Sequence, residues 1–123
     1  MAKYEHLPIY KQTYDLLLLA MQATKLFPRE YKYTLGQNIK EEIVGLVIFI
    51  YRANSARDKT AHIQSILERI QVIHILIRLS HDMRLLQRKY YARLAEMTDS
   101  LGRQAQGWLK SSGKMEPEQA GTT

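Results

Sequence analysis

The sequence predicts an all-α fold, an antiparallel up-down-up-down four-helix bundle. Three observations carry this. Four segments place apolar residues at spacings of three and four, the period of a helix face. Short polar stretches join them, which sets consecutive helices side by side and antiparallel. The two middle segments carry more apolar surface than one bundle core can bury, which points to a homo-oligomer.

Leu7-Pro8 opens the first helix, because proline's fixed φ suits a first turn. Tyr10, Tyr14, Leu17 and Met21 form its expected core stripe, with Leu16 and Leu19 beside them. The helix stops before Phe27-Pro28, since the residue preceding a proline is pushed out of the α region. After the connector Arg29-Glu30-Tyr31-Lys32-Tyr33, Thr34 and Gln37 stand three apart as in a capping box, so the second helix starts near Thr34. Ile39, Ile43, Leu46 and Ile50 form its main stripe. Val44, Val47, Ile48 and Tyr51 form a second one and are candidates for an oligomer interface.

The polar run Arg52-Ala53-Asn54-Ser55-Ala56-Arg57-Asp58-Lys59 is the corner to the third helix, with Asp58 as its expected N-cap. Ile63, Ile66, Ile70, Ile73 and Ile77 form the main stripe there. So many isoleucines would also suit a strand. A two-residue period fails, however, because Gln71, His74, Arg78 and His81 fall together on one helical face. Leu67, Val72, Ile75, Leu76 and Leu79 widen the apolar surface, and Val72, Leu76 and Leu79 join the interface candidates. Leu85-Leu86-Gln87 makes the next turn, and Tyr90, Leu94, Met97, Leu101, Ala105 and Trp108 mark the fourth helix. The helices are expected at about residues 8–26, 34–54, 58–82 and 87–110 of one domain, 1–110. Residues 111–123 are rich in Ser, Gly, Glu and Thr and read as a disordered tail.

With 123 residues and 46% hydrophobic content, the chain fits one ordinary globular core. It has no cysteine, which excludes disulfides and thiolate sites and suits a reducing, cytoplasmic setting. No apolar run approaches the roughly 18 residues of a membrane span, so no membrane partner is expected. Catalytic signatures are absent: there is no Gly-rich phosphate loop, Gly-x-Ser-x-Gly elbow or His-Glu-x-x-His. Inward Glu-x-x-His pairs mark two-metal bundles, and here Glu68 is followed three residues later by Gln71. His74 and His81 lie two turns apart, roughly 10 Å, too far to hold one ion together. No enzyme, metal site or cofactor is expected.

The formal charge is +6, from 18 Lys and Arg against 12 Asp and Glu. That balance favours a polyanionic partner. Arg52, Arg57 and Lys59 gather at the corner between helices two and three. Arg84, Arg88, Lys89 and Arg93 lead into helix four without an intervening acid, interleaved with Tyr90 and Tyr91, which suits phosphate contact and stacking. Arg78 is a further candidate, either facing a partner or simply paired with Asp82 at i, i+4. The two basic groups fall at opposite ends of an antiparallel bundle.

Several segments together resemble a known family. Leu7-Pro8-Ile9-Tyr10-Lys11, Phe27-Pro28-Arg29-Glu30-Tyr31, Tyr33-Thr34-Leu35-Gly36, Ile50-Tyr51-Arg52-Ala53-Asn54-Ser55, Arg78-Leu79-Ser80-His81-Asp82 and Gly107-Trp108-Leu109 are similar to the accessory variability determinant (Avd) proteins of diversity-generating retroelements. Those are relatives of the four-helix-bundle proteins of ribosomal-RNA intervening sequences. The resemblance spans residues 7–110. It implies a homopentameric barrel without catalytic activity that binds the element's reverse transcriptase and RNA or DNA, with little sequence preference. Its role would be to support mutagenic copying of a template RNA. The alternative is a structural or protein-binding oligomer of the intervening-sequence type.

Overall fold

Leu7 caps α1 (Pro8–Thr24) with extended backbone, and Pro8 fills the first turn, where a missing N–H costs nothing. A 3-10 turn, Tyr4–His6, precedes it, and the one-turn α2 (Arg29–Lys32), α3 (Leu35–Ser55), α4 (Thr60–Asp82) and α5 (Arg88–Gly121) follow. The computed structural model describes the backbone of residues 4–121 and the side chains of residues 4–112. The expected tail, 111–123, falls almost wholly outside the residues whose side chains are described. Among the described residues there is no strand. α1 packs on α3 and α5, and α4 packs on the same two, so the cyclic order is α1, α3, α4, α5.

The isoleucine stripes lie where the period puts them. Ile39, Ile43, Leu46 and Ile50 of α3 face Ile63, Ile66, Ile70, Ile73 and Ile77 of α4 in the buried core. Each such side chain contributes about 1.5–3 kcal/mol on burial. From α5, Leu94, Leu101 and Ala105 are buried, with Tyr90, Met97 and Trp108 packed against them.

α1 departs from expectation. Its buried face is Ile9, Thr13, Leu16, Ala20, Ala23 and Thr24, while Tyr14 and Met21 are exposed. The run of four leucines, Leu16 to Leu19, left its phase ambiguous, and mostly small side chains occupy the inward seats. The buried hydroxyls are satisfied within their own helices. Thr13 donates to the Ile9 carbonyl at 2.7 Å, Thr24 to Ala20 at 2.7 Å, Ser80 to Leu76 at 2.8 Å and Thr98 to Leu94 at 2.6 Å.

Two expected caps are also corrected. The Thr34 hydroxyl donates back to the Glu30 carbonyl at 2.9 Å, because the single turn of α2 sits behind it with an open acceptor, so no capping box forms with Gln37. Lys59, not Asp58, holds the N-cap position of α4, in αR backbone. Asp58 still accepts from the Thr60 N–H at 3.1 Å, one step early.

Polar clasps tie neighbouring helices. Arg69 of α4 pairs with Glu42 of α3 at 2.6 Å, and its guanidinium lies 4.8 Å from the Phe49 ring centroid. Gly45 makes the room: a Cβ there would strike the guanidinium. Gln12 of α1 accepts from Ser100 at 2.9 Å and from Gln104, both on α5. His74 Nε2 meets Asp99 Oδ1 at 2.9 Å between α4 and α5.

Candidate nucleic-acid interface

The two groups of cations named above sit at opposite ends of α4, whose 23 residues span roughly 34 Å. The α3–α4 corner holds Arg52, Arg57 and Lys59. Arg52 and Arg57 are exposed, and Arg52 lies 5.8 Å from the Phe49 ring centroid. Lys59 is differently employed. Its ammonium donates to the carbonyls of Ala53 at 3.0 Å, Asn54 at 2.9 Å and Ala56 at 3.1 Å, capping the carbonyl end of α3. A cation there also complements the helix dipole. These three bonds tie the Lys59 side chain to the corner, in contrast to the exposed Arg52 and Arg57.

At the far end, α4 stops in a Schellman motif. The Leu85 N–H bonds the Ser80 carbonyl and the Arg84 N–H bonds that of His81, both at 2.9 Å. This puts Arg84 in left-handed backbone, φ 62°, a position that favours glycine. A side chain there costs about 1–2 kcal/mol. Arg84, Arg88, Lys89 and Arg93 are all exposed, and the Lys89 ammonium lies 5.3 Å from the Tyr90 ring centroid. Arg78, 76% exposed, stands 3.7 Å from Asp82, whose other oxygen meets His81 Nδ1 at 3.2 Å. At that exposure the Arg78 pair contributes little. His81 in turn stacks on Tyr91, centroids 3.9 Å apart. The turn thus brings Arg78, Arg84, Arg88 and Lys89 to one end with a stacked aromatic pair, and Arg93 follows one helical turn along α5.

Of the interface candidates, Val44, Ile48, Tyr51, Val72 and Leu79 are exposed, while Val47 and Leu76 are half-buried and Leu76 packs on the core. The sequence reading missed Tyr14, Leu18 and Met21 of α1, which extend the α3 patch. It also left out Ile75 of α4, 64% exposed, and Met83 just past its end. A shallow cavity of about 340 Å³ lies between Met21 and Val44, Gly45 and Ile48. Apolar spacing alone offered both α1 phases, so only packing could assign that face.

Among the described residues, no group of three or more His, Cys, Asp or Glu could hold a metal ion. No helix there is long and apolar enough to cross a membrane. The fold and its surface define a four-helix-bundle protein with a cationic turn and large unburied apolar patches. The chain belongs to the bAvd-like family, whose model matches residues 7–112. That membership suggests an accessory protein of diversity-generating retroelements. No curated protein matches the chain.

Proposed function

We propose that this protein is a non-catalytic, cytoplasmic adaptor that holds RNA or DNA on its cationic surface while docking the retroelement's reverse transcriptase, so that template RNA is copied with errors. The observation that carries the reading is the α4–α5 turn. Arg84, Arg88, Lys89 and Arg93 are exposed there without an intervening acid, and Arg84 keeps a long cationic side chain where glycine would relieve the backbone. Arg78, Arg52 and Arg57 extend the charge along and across the molecule.

Self-association belongs to the same reading. One apolar patch spans α1 and α3, and another runs along α4, diagonal to α1 in the cyclic order. Two different patches facing different ways suit head-to-tail joining of copies, which gives a ring where the rotation between them closes. The family resemblance supports five copies.

The test replaces Arg84, Arg88, Lys89 and Arg93 with Ala and titrates a labelled RNA and a DNA of the same length at two salt concentrations. Wild type should bind both with a steep salt dependence. Four lost phosphate contacts should flatten the log–log slope by about 2.8 for single strands. Helicity and the reverse-transcriptase interaction report the fold. A wild-type protein that binds neither nucleic acid at low salt fails the proposal and leaves a structural bundle of the intervening-sequence type.

A further inference from the structure

We infer that a single nucleic-acid strand lies along the groove between α4 and α5, which leads away from the cationic turn at Arg78 and Tyr91; this rests on the nucleic-acid reading above and specifies its ligand and path. The groove contains two cavities, of about 680 and 310 Å³, on either side of the His74–Asp99 pair, which lines both. Its floor is Leu67 and Ile70 from α4 and Gly102 and Gly107 from α5. Neither glycine is demanded by the bundle. A Cβ at Gly102 would meet only Ile70, at 3.9 Å, and one at Gly107 would meet nothing within 4 Å. Each glycine nevertheless weakens a helix interior, and their effect is to leave the floor open.

The rim supplies charge. Arg103 and Lys110 stand seven residues apart on α5, about 10.5 Å along one face, and both are exposed. Among the described residues neither has an ion-pair partner. The single acid lining either cavity is Asp99, whose carboxylate is engaged by His74 at 2.9 Å. Gln71 and Gln106 offer amides that can donate or accept without regard to base identity. Arg78 and Tyr91 line the smaller cavity, and the His81–Tyr91 stack closes that end beside Arg88.

Shape separates single from double strands. Neighbouring helices pack with axes about 8–10 Å apart, so the trough between them admits one backbone and a duplex reaches only its rim. From Tyr91 to Lys110 the trough is about 28 Å long. That accommodates a site near the lower limit of the roughly 4–16 nucleotides held by other strand-binding grooves.

Gly107→Leu tests the assignment without altering charge, since the added side chain enters open space and raises helix propensity. Fluorescence anisotropy with a labelled 12-nucleotide single strand should show about tenfold weaker binding, while a 12-base-pair duplex binds as before and the thermal midpoint does not fall. Arg103→Ala with Lys110→Ala should lower the single-strand salt slope by about 1.4. If wild type binds neither ligand, the nucleic-acid reading itself fails. If wild type binds and Gly107→Leu keeps its single-strand affinity, or loses both ligands equally, the groove assignment is overturned and the nucleic-acid reading stands. Retained strand binding with loss of the reverse transcriptase would give the groove to a protein helix instead.

Discussion

Lys59 and Arg84 each stand at a helix boundary, and their surroundings give them different work. Lys59 turns back to close three carbonyls of α3, whereas Arg84 projects from the Schellman turn into solvent. Lys59→Met keeps the aliphatic stem and removes the donors. It should destabilise the protein by about 1–2 kcal/mol in urea unfolding, since the bonds are charge-assisted but only partly buried. Nucleic-acid affinity should stay within about twofold of wild type; a larger loss would place Lys59 on the contact surface. The sequence displayed both residues equally, as cations near a corner. What separates them is the path of the backbone through Arg57 and Asp58, which periodicity does not encode.

At the scale of elements, legibility followed the contrast between inward and outward seats. In α3 and α4 the main stripe takes isoleucine or leucine at every seat, so the period stands out from its background and the buried faces agree with it. In α1 the inward seats include Thr13, Ala20, Ala23 and Thr24, and large apolar residues point outward, so the same rule chose the wrong phase. The clasp between α3 and α4 was invisible for a related reason. Gly45 matters only because Arg69 lies across it, 27 positions from that arginine's partner Glu42. Gly45→Ala should gain about 1 kcal/mol of helix propensity and forfeit a similar amount by displacing the guanidinium, leaving stability nearly unchanged. In an Arg69→Ala background the same change should stabilise by about 1 kcal/mol. A double-mutant cycle by chemical denaturation measures the difference, and additivity would mean that Gly45 and Arg69 do not communicate.

Across the whole molecule, the surplus apolar surface was legible as an amount but not as a geometry. Composition indicated excess on α3 and α4; the fold adds α1 and separates the surplus into two patches. Head-to-tail joining has a specific signature. Ile48→Glu spoils the α1–α3 patch and Leu79→Glu spoils the α4 patch, so each variant alone should run as a monomer in light scattering. Mixed, each still offers the face that the other lacks, and heterodimers should form but nothing larger. A mixture that stays monomeric would rule out this mode of joining. The groove between α4 and α5 was likewise out of reach of the sequence, because His74, Asp99, Arg103 and Lys110 meet along it only once the two helices are side by side.

Among the described residues the four buried hydroxyls, each bonded to a carbonyl one turn back, have a consequence for how the chain can change. Thr13, Thr24, Ser80 and Thr98 ask nothing polar of a neighbouring helix, and among the described residues no buried side-chain nitrogen or oxygen lacks a partner. The interior is therefore written in terms of volume alone, and volume can be redistributed among apolar side chains at modest cost. Core positions such as Ile43 and Ile70 should therefore accept other apolar side chains of like volume, whereas Arg84, held in left-handed backbone, should not accept a β-branched residue.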